Sequence, residues 1–216
     1  MTWQWAGPIV LAAALAVLTP RILRALPAPS DEPDSDPYGP LATAWFALTA
    51  FALMAVAGLL VVWLVPGQTF AWVGLSTFAM LAAMIDARTE YLPKRLMQAC
   101  WLTTAAGVVA SAALAGDWQL LVRSAVGALA VTSLFWLFWR IGGGFGFGDV
   151  RLAPVIGATA ASVSWTVLAG ALLFGGIVGV LWGVIWRALG RGRAFPYGPA
   201  LVAGPYLALL LNGLLR

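Results

Sequence analysis

The sequence contains no histidine and a single cysteine, Cys100, which removes several kinds of catalytic and metal site from consideration. Ser–His and Cys–His catalysis both require an imidazole base, and zinc sites are usually built from histidines and paired cysteines. One cysteine also excludes a disulfide within the chain. Hydrolysis by two carboxyl groups needs none of these parts, so we expect no metal and no other cofactor.

Charge is equally scarce, since 9% of the 216 residues are charged and 62% are hydrophobic. Apolar stretches of about 20 residues recur along the chain, which is the signature of transmembrane helices. The net charge of +4 is small and lies in loops, whereas nucleic-acid binding needs a clustered basic face. We therefore predict an all-α, multi-pass protein of the lipid bilayer without a nucleic-acid partner.

The apolar runs predict eight transmembrane helices, at about 4–23, 41–65, 70–86, 96–115, 119–139, 152–164, 166–187 and 199–215. The boundary between the sixth and seventh of these helices follows from length. The apolar run 150–187 has 38 residues, which would form a single helix of about 57 Å. That is nearly twice the hydrocarbon thickness, so we predict a break within 161–165. The chain forms one membrane domain, in which 1–40 supplies the first helix and an acidic, proline-rich loop, and 41–216 supplies the core.

The basic residues predict how the chain is oriented. With eight crossings and both termini outside, ten of the twelve basic residues fall on one side of the membrane. They are Arg21, Arg24, Arg88, Lys94, Arg95, Arg140, Arg151, Arg187, Arg191 and Arg193. Because positive loops mark the cytoplasmic side, we predict a cell (cytoplasmic or inner) membrane protein with its termini outside.

The same orientation places two acids at one membrane depth. Asp86 ends the predicted third helix and Asp149 precedes the sixth, both at the cytoplasmic edge. Each could simply cap a helix or pair with nearby Arg88 or Arg151. The alternative is aspartic proteolysis, in which one ionised carboxyl takes a proton from water and a second, protonated carboxyl donates to the scissile carbonyl.

Three segments resemble the type IV prepilin peptidases, a group of intramembrane aspartic proteases. Residues 146–149, Gly-Phe-Gly-Asp, are similar to the family's Gly-x-Gly-Asp motif. In "IDARTEYLPKRL", Asp86 and Pro93 match the family's first aspartate segment, although Lys94 stands where asparagine is usual. The segment "FPYGP" resembles the family's "P-F-G-P" through Pro196, Tyr197, Gly198 and Pro199.

The resemblance implies a function and the residues that perform it. Asp86 and Asp149 would be catalytic, and Gly146, Gly148, Pro93, Pro196, Gly198 and Pro199 would shape the loops around them. The substrate would be a pilin-like precursor whose short leader is removed at the cytoplasmic face. Since longer family members carry two Cys-x-x-Cys pairs in an inserted methyltransferase domain, this chain is similar to a short, peptidase-only form. A small transporter or channel and an inactive pilus-assembly partner remain alternatives, and the oligomeric state stays open.

Overall fold

In a computed structural model, residues 3–29, 35–142, 146–190 and 195–215 are described, and every regular element among them is helical. This confirms the predicted all-α class. The α-helices are α1 (Trp3–Ala25), α2 (Ala44–Leu64), α3 (Met80–Thr89), α4 (Lys94–Ala115), α5 (Trp118–Gly142), α6 (Phe147–Val163), α7 (Trp165–Ala188) and α8 (Gly198–Leu214). Short 3₁₀ helices cover Gly39–Leu41 and Pro66–Trp72, and a π-helix covers Leu75–Ala79.

Five of the described helices, α1, α2, α4, α5 and α7, are long and apolar enough to cross a membrane. A sixth crossing results if the pair Pro66–Trp72 and Leu75–Thr89, bent by 58°, counts as one span. Helices α6 and α8 have 17 residues each and so reach only about 25 Å. The chain is thus a multi-pass membrane protein, while the predicted count of eight spans is not confirmed and the orientation of the termini stays a prediction.

The predicted continuous helix over 70–86 is wrong, because the chain bends between Trp72 and Leu75. The irregular backbone at the bend is held by side chains of two other helices. The Ser111 hydroxyl of α4 accepts a hydrogen bond from the Ala71 amide at 3.1 Å, and the Thr159 hydroxyl of α6 donates to the Ala71 carbonyl at 3.3 Å. Such replacement bonds are what allow a helix to break inside an apolar environment.

The predicted break within 161–165 is confirmed at Ser164, which is fully extended between α6 and α7. Its hydroxyl accepts a hydrogen bond from the Val167 amide at 3.1 Å and so caps α7. The guanidinium of Arg123 on α5 donates to the Ser162 carbonyl at 3.0 Å, at the C-terminus of α6. These polar contacts satisfy the helix ends that the break exposes.

Small residues allow the helices to approach closely. A Cβ atom at Gly157 of α6 would lie 2.7 Å from the carbonyl carbon of Gly127 and 2.9 Å from the Cα of Ala128, both on α5. On α8, a Cβ atom at Gly204 would lie 2.8 Å from the amide nitrogen of Gly175 on α7. Such contacts between backbones are typical of membrane helix pairs, which gain stability from van der Waals packing.

Helix α3 lies against α8, and this packing sets the position of Asp86. The Ser76 hydroxyl, in the π-helix that leads into α3, forms a 2.8 Å hydrogen bond with the Tyr206 hydroxyl of α8. Trp72 packs edge-on against the same Tyr206 ring with centroids 5.6 Å apart. Cys100 is fully buried nearby, and its thiol donates a hydrogen bond to the Gly74 carbonyl at 3.3 Å.

Candidate active site

A large cavity of about 1450 Å³ opens at one end of the helix bundle. Its walls come from the ends of helices and their connections: residues 27–29 and Tyr38, Asp86, residues 90–94, residues 146–149 and Arg151, the α7 face from Gly179 to Arg187, and Phe195 and Tyr197. Asp86 and Asp149 both contribute to this wall. The structure therefore brings together the two acids that the sequence singles out.

Asp86 is buried, with 5% of its surface exposed, and lies on α3 three residues before the helix ends at Thr89. The predicted helix end at Asp86 is therefore three residues too early. Its Oδ2 atom accepts a hydrogen bond from the Gly198 amide at 2.8 Å. Gly198 is the first residue of α8, so a helix N-terminus from 112 positions away faces the carboxyl group.

Asp149 is buried to a similar degree, with 7% exposed, and lies in the first turn of α6. The sequence places it before the helix, whereas α6 already begins at Phe147. Gly146 is the extended N-cap residue, and its amide donates to Asp149 Oδ2 at 3.2 Å. The negative charge of Asp86 is close enough to act on Asp149.

The ion-pair interpretation of these acids finds no support in the described part of the chain. The salt bridge there joins Arg123 and Asp117 at 3.8 Å, remote from the cavity. The guanidinium of Arg151 instead lies over the Phe147 ring, 4.9 Å from its centroid. The capping interpretation fits the hydrogen bonds of both acids, because Asp149 accepts from the N-cap residue of its own helix and Asp86 accepts from the first residue of α8.

The predicted loop-shaping glycines have different surroundings. A Cβ atom at Gly198 would lie 2.7 Å from Asp86 Oδ2, and one at Gly148 would lie 2.9 Å from Leu92 Cδ1. At Gly146 the nearest atom would be Asp149 Oδ2 at 3.7 Å, which is an ordinary contact. Close packing therefore explains glycine at 148 and 198 but not at 146. Gly143 and Gly144, also noted in this loop, lie outside the described residues.

The predicted prolines lie at the ends of two helices. Pro93 is the N-cap residue of α4 and lines the cavity, where its fixed backbone starts the helix. Pro199 is the second residue of α8, a position that tolerates the missing amide hydrogen. Pro196 is buried next to Tyr197 but does not line the cavity. The loop-shaping role of these prolines stays a prediction.

Tyr197 belongs to the cavity wall and was not singled out for its side chain. A Cβ atom at Gly179 of α7 would collide with the Tyr197 ring, so this glycine provides the space in which the ring lies. Burial, and secondly the negative charge of Asp149, raise the pKa of Tyr197 above its usual value. Its phenol therefore stays protonated beside Asp149 at neutral pH. The sequence signal was present, since Gly179 and Gly183 share one face of α7 opposite Tyr197 and Phe195.

Comparison with known proteins gives a consistent set of matches. Residues 72–184 match the model of the type IV leader peptidase family, and this span contains both Asp86 and Asp149. Over 143 residues the chain is 34% identical to the prepilin leader peptidase/N-methyltransferase of Pseudomonas aeruginosa, covering 63% of this chain and 48% of that protein. No solved structure matches significantly.

Two further curated proteins with the same description are similar over a comparable length. The Xanthomonas campestris protein is 34% identical over 151 residues, which is 66% of this chain and 48% of that protein. The Neisseria gonorrhoeae protein is 28% identical over 145 residues, which is 64% of this chain and 47% of that protein. The chain thus spans about half the length of the curated relatives it matches.

Proposed function

The chain belongs to the type IV leader peptidase family, and we propose that it is an intramembrane aspartic endopeptidase in which Asp86 and Asp149 share one water molecule. The observation that carries this proposal is the position of both carboxyl groups in the wall of one cavity, each buried and each bound by a backbone amide. Two buried acids that act on each other across one cavity favour a single shared proton, because like charges oppose each other's ionisation.

The proposed reaction adds water across a peptide bond. The ionised aspartate takes a proton from the water while the water oxygen attacks the scissile carbonyl carbon. The protonated aspartate donates its proton to the carbonyl oxygen. The tetrahedral intermediate then collapses as the first aspartate protonates the leaving nitrogen and the second recovers a proton from the new carboxyl group. Both acids return to their initial states, so no cofactor is consumed.

The substrate that we propose is a pilin-like precursor, as the curated relatives' description of prepilin leader peptidase suggests. The residues that line the cavity support this choice. Charged side chains, including Lys94 and Arg187, line it where helices end, and the wall continues along α7 to Val180 and Val184. These two valines are 66% and 63% exposed, so they offer apolar surface to a substrate helix. A leader at the cytoplasmic membrane surface, with its helix in the bilayer, fits both parts.

We propose peptidase activity only. The relatives named for both catalytic functions align with this chain over about half of their own length, and the present sequence contains one cysteine and therefore no Cys-x-x-Cys pair. The transporter, channel and inactive-partner alternatives are not favoured by the matches to leader peptidases.

The test is removal of the leader from a co-expressed pilin-like precursor, followed by mass spectrometry of the precursor's N-terminus. We expect Asp86→Asn and Asp149→Asn each to abolish cleavage while the protein still inserts in the membrane. Asp36→Asn is the matched control, since Asp36 is exposed and asparagine keeps the oxygen that accepts a hydrogen bond from the Gly39 amide at 2.8 Å. Full processing by either of the first two variants would refute the proposal.

A further inference from the structure

The contact between Asp86 and Gly198 has a geometry that only glycine permits. The Gly198 amide lies 2.8 Å from Asp86 Oδ2, and a Cβ atom on Gly198 would be 2.7 Å from the same oxygen and 3.2 Å from Cγ. Gly198 is not among the residues with positive φ, so its conformation suits any amino acid. Glycine is required here for close approach to the carboxyl group.

The donor is also electrostatically favourable. Gly198 is the first residue of α8, and the next residue, Pro199, has no amide hydrogen to offer. The first amides of a helix carry partial positive charge and have no partner within the helix. An amide aimed at a buried carboxyl group favours its ionised form, because the hydrogen bond to a carboxylate is stronger than that to a neutral acid.

The two aspartates differ in how they are held. Asp149 receives its hydrogen bond from Gly146 at 3.2 Å, within its own helix start, and faces the charge of Asp86. Asp86 receives a shorter bond from a separate helix. The arrangement therefore favours charge on Asp86 and the proton on Asp149.

We propose that Gly198 is a positioning residue whose amide fixes and ionises Asp86, so that Asp86 is the base that takes the proton of water and Asp149 is the acid that donates to the scissile carbonyl. This inference rests on the proposed function and adds to it the division of roles. Gly198 also lies beyond residue 184, where the family match ends.

The charged and titratable groups that share the cavity must be considered in any pH experiment. Glu90 acts on Asp86 from the end of α3, and Asp149 faces it from α6. The remaining ones in the cavity wall are Tyr38, Tyr91, Lys94, Arg151, Arg187 and Tyr197. The exchange at Gly198 replaces none of these side chains, so a change in the acid limb of the pH profile follows from the lost hydrogen bond to Asp86 and its effect on the aspartate pair.

The decisive variant replaces Gly198 by glycolic acid, which exchanges the amide N–H for an ester oxygen and adds no atom that could collide with Asp86. The full chain in lipid nanodiscs is assayed with a purified pilin-like precursor from pH 4 to 9, and kcat and KM are measured separately. Gly198→Ala is the second variant, which keeps the amide but adds a methyl group that pushes it away from Asp86 Oδ2. Gly176→Ala is the control, because a Cβ atom there meets nothing within 4 Å.

We expect the ester to move the acid limb of kcat upward by about one to two pH units, as the loss of a hydrogen bond to a charged group implies. At pH values below the original midpoint, kcat then falls about ten- to hundredfold, with KM and the basic limb unchanged. Gly198→Ala should shift the same limb in the same direction, and Gly176→Ala should shift neither.

An ester variant with an unchanged acid limb overturns the inference, and so does a fall in kcat that is equal at all pH values, which would indicate a merely structural role. A rise in KM alone also overturns it. Failure of the proposed function is distinguishable, because in that case Asp86→Asn would still cleave the precursor. If Asp86→Asn is inactive and the ester profile is unaltered, only the division of roles is wrong.

Discussion

Replacing Gly148 by alanine would place a methyl group 2.9 Å from Cδ1 and 3.1 Å from Cβ of Leu92. Gly148 lies in the first turn of α6, next to Asp149, and Leu92 belongs to the α3–α4 connection. Overpacking of this kind costs about 1–3 kcal/mol, whereas alanine gains up to about 1 kcal/mol over glycine in a helix. Overpacking therefore dominates, and a net strain of about 1–2 kcal/mol is expected.

This strain is released most easily by moving the start of α6, which displaces Asp149 from Asp86. A loss of 1–2 kcal/mol in productive alignment corresponds to a cleavage rate about 5- to 30-fold lower. The assay is a comparison of initial cleavage rates for Gly148→Ala, Leu92→Ala and the double variant, with thermal unfolding measured in parallel. Because Leu92→Ala removes Cγ and Cδ1, the double variant should recover most of the rate that Gly148→Ala loses.

The double-variant cycle distinguishes two explanations for this glycine. If Gly148 is needed for its contact with Leu92, the two substitutions interact and the double variant is faster than Gly148→Ala alone. If Gly148 is needed so that the substrate backbone can approach, Leu92→Ala does not help. A double variant as slow as Gly148→Ala would therefore refute the packing argument.

Two further predictions concern stability. Gly157→Ala should lower the unfolding temperature, because its methyl group meets the α5 backbone, which cannot move aside. Gly176→Ala makes the same change in open space and should leave the unfolding temperature equal or slightly higher. Equal effects of the two variants would contradict the packing of α5 on α6. Arg123→Gln should lower the free energy of unfolding by about 1–2 kcal/mol, because it removes the charged donor from the Ser162 carbonyl. KM for the precursor should stay unchanged, because the active site lies at the other end of α6. A variant as stable as the parent chain would contradict the capping role.

The sequence was sufficient for features that depend on local composition. Runs of apolar residues located every α-helix except α3, which the bend shortens, and the length of the run 150–187 required the break that the structure has at Ser164. The alternation of basic loops predicted Asp86 and Asp149 at one membrane depth, and the structure places both in the wall of one cavity. The predicted break succeeds because membrane thickness limits the length of each segment separately, whereas the orientation drawn from loop charge stays a prediction.

The remaining features depend on contacts between distant segments, which no local pattern encodes. The bond from Gly198 to Asp86 joins positions 112 residues apart. The bend before α3 depends on hydroxyl groups of α4 and α6, and the space for Tyr197 depends on Gly179 of α7. In each case the sequence contained the residue types, but the partner was defined only when the helices were packed.

Because of the bend between Trp72 and Leu75, the direction of the segment that carries Asp86 depends on neighbouring helices. In an unbroken helix the peptide groups form hydrogen bonds with one another. At this break the Ala71 peptide groups bond instead to the hydroxyls of Ser111 and Thr159, which lie toward the ends of α4 and α6 remote from the cavity. These two hydroxyl groups therefore help to set the position of Asp86, although both lie far from the carboxyl groups. A mutation at either one should disturb the alignment of Asp86 with Asp149 at the opposite end of the bundle.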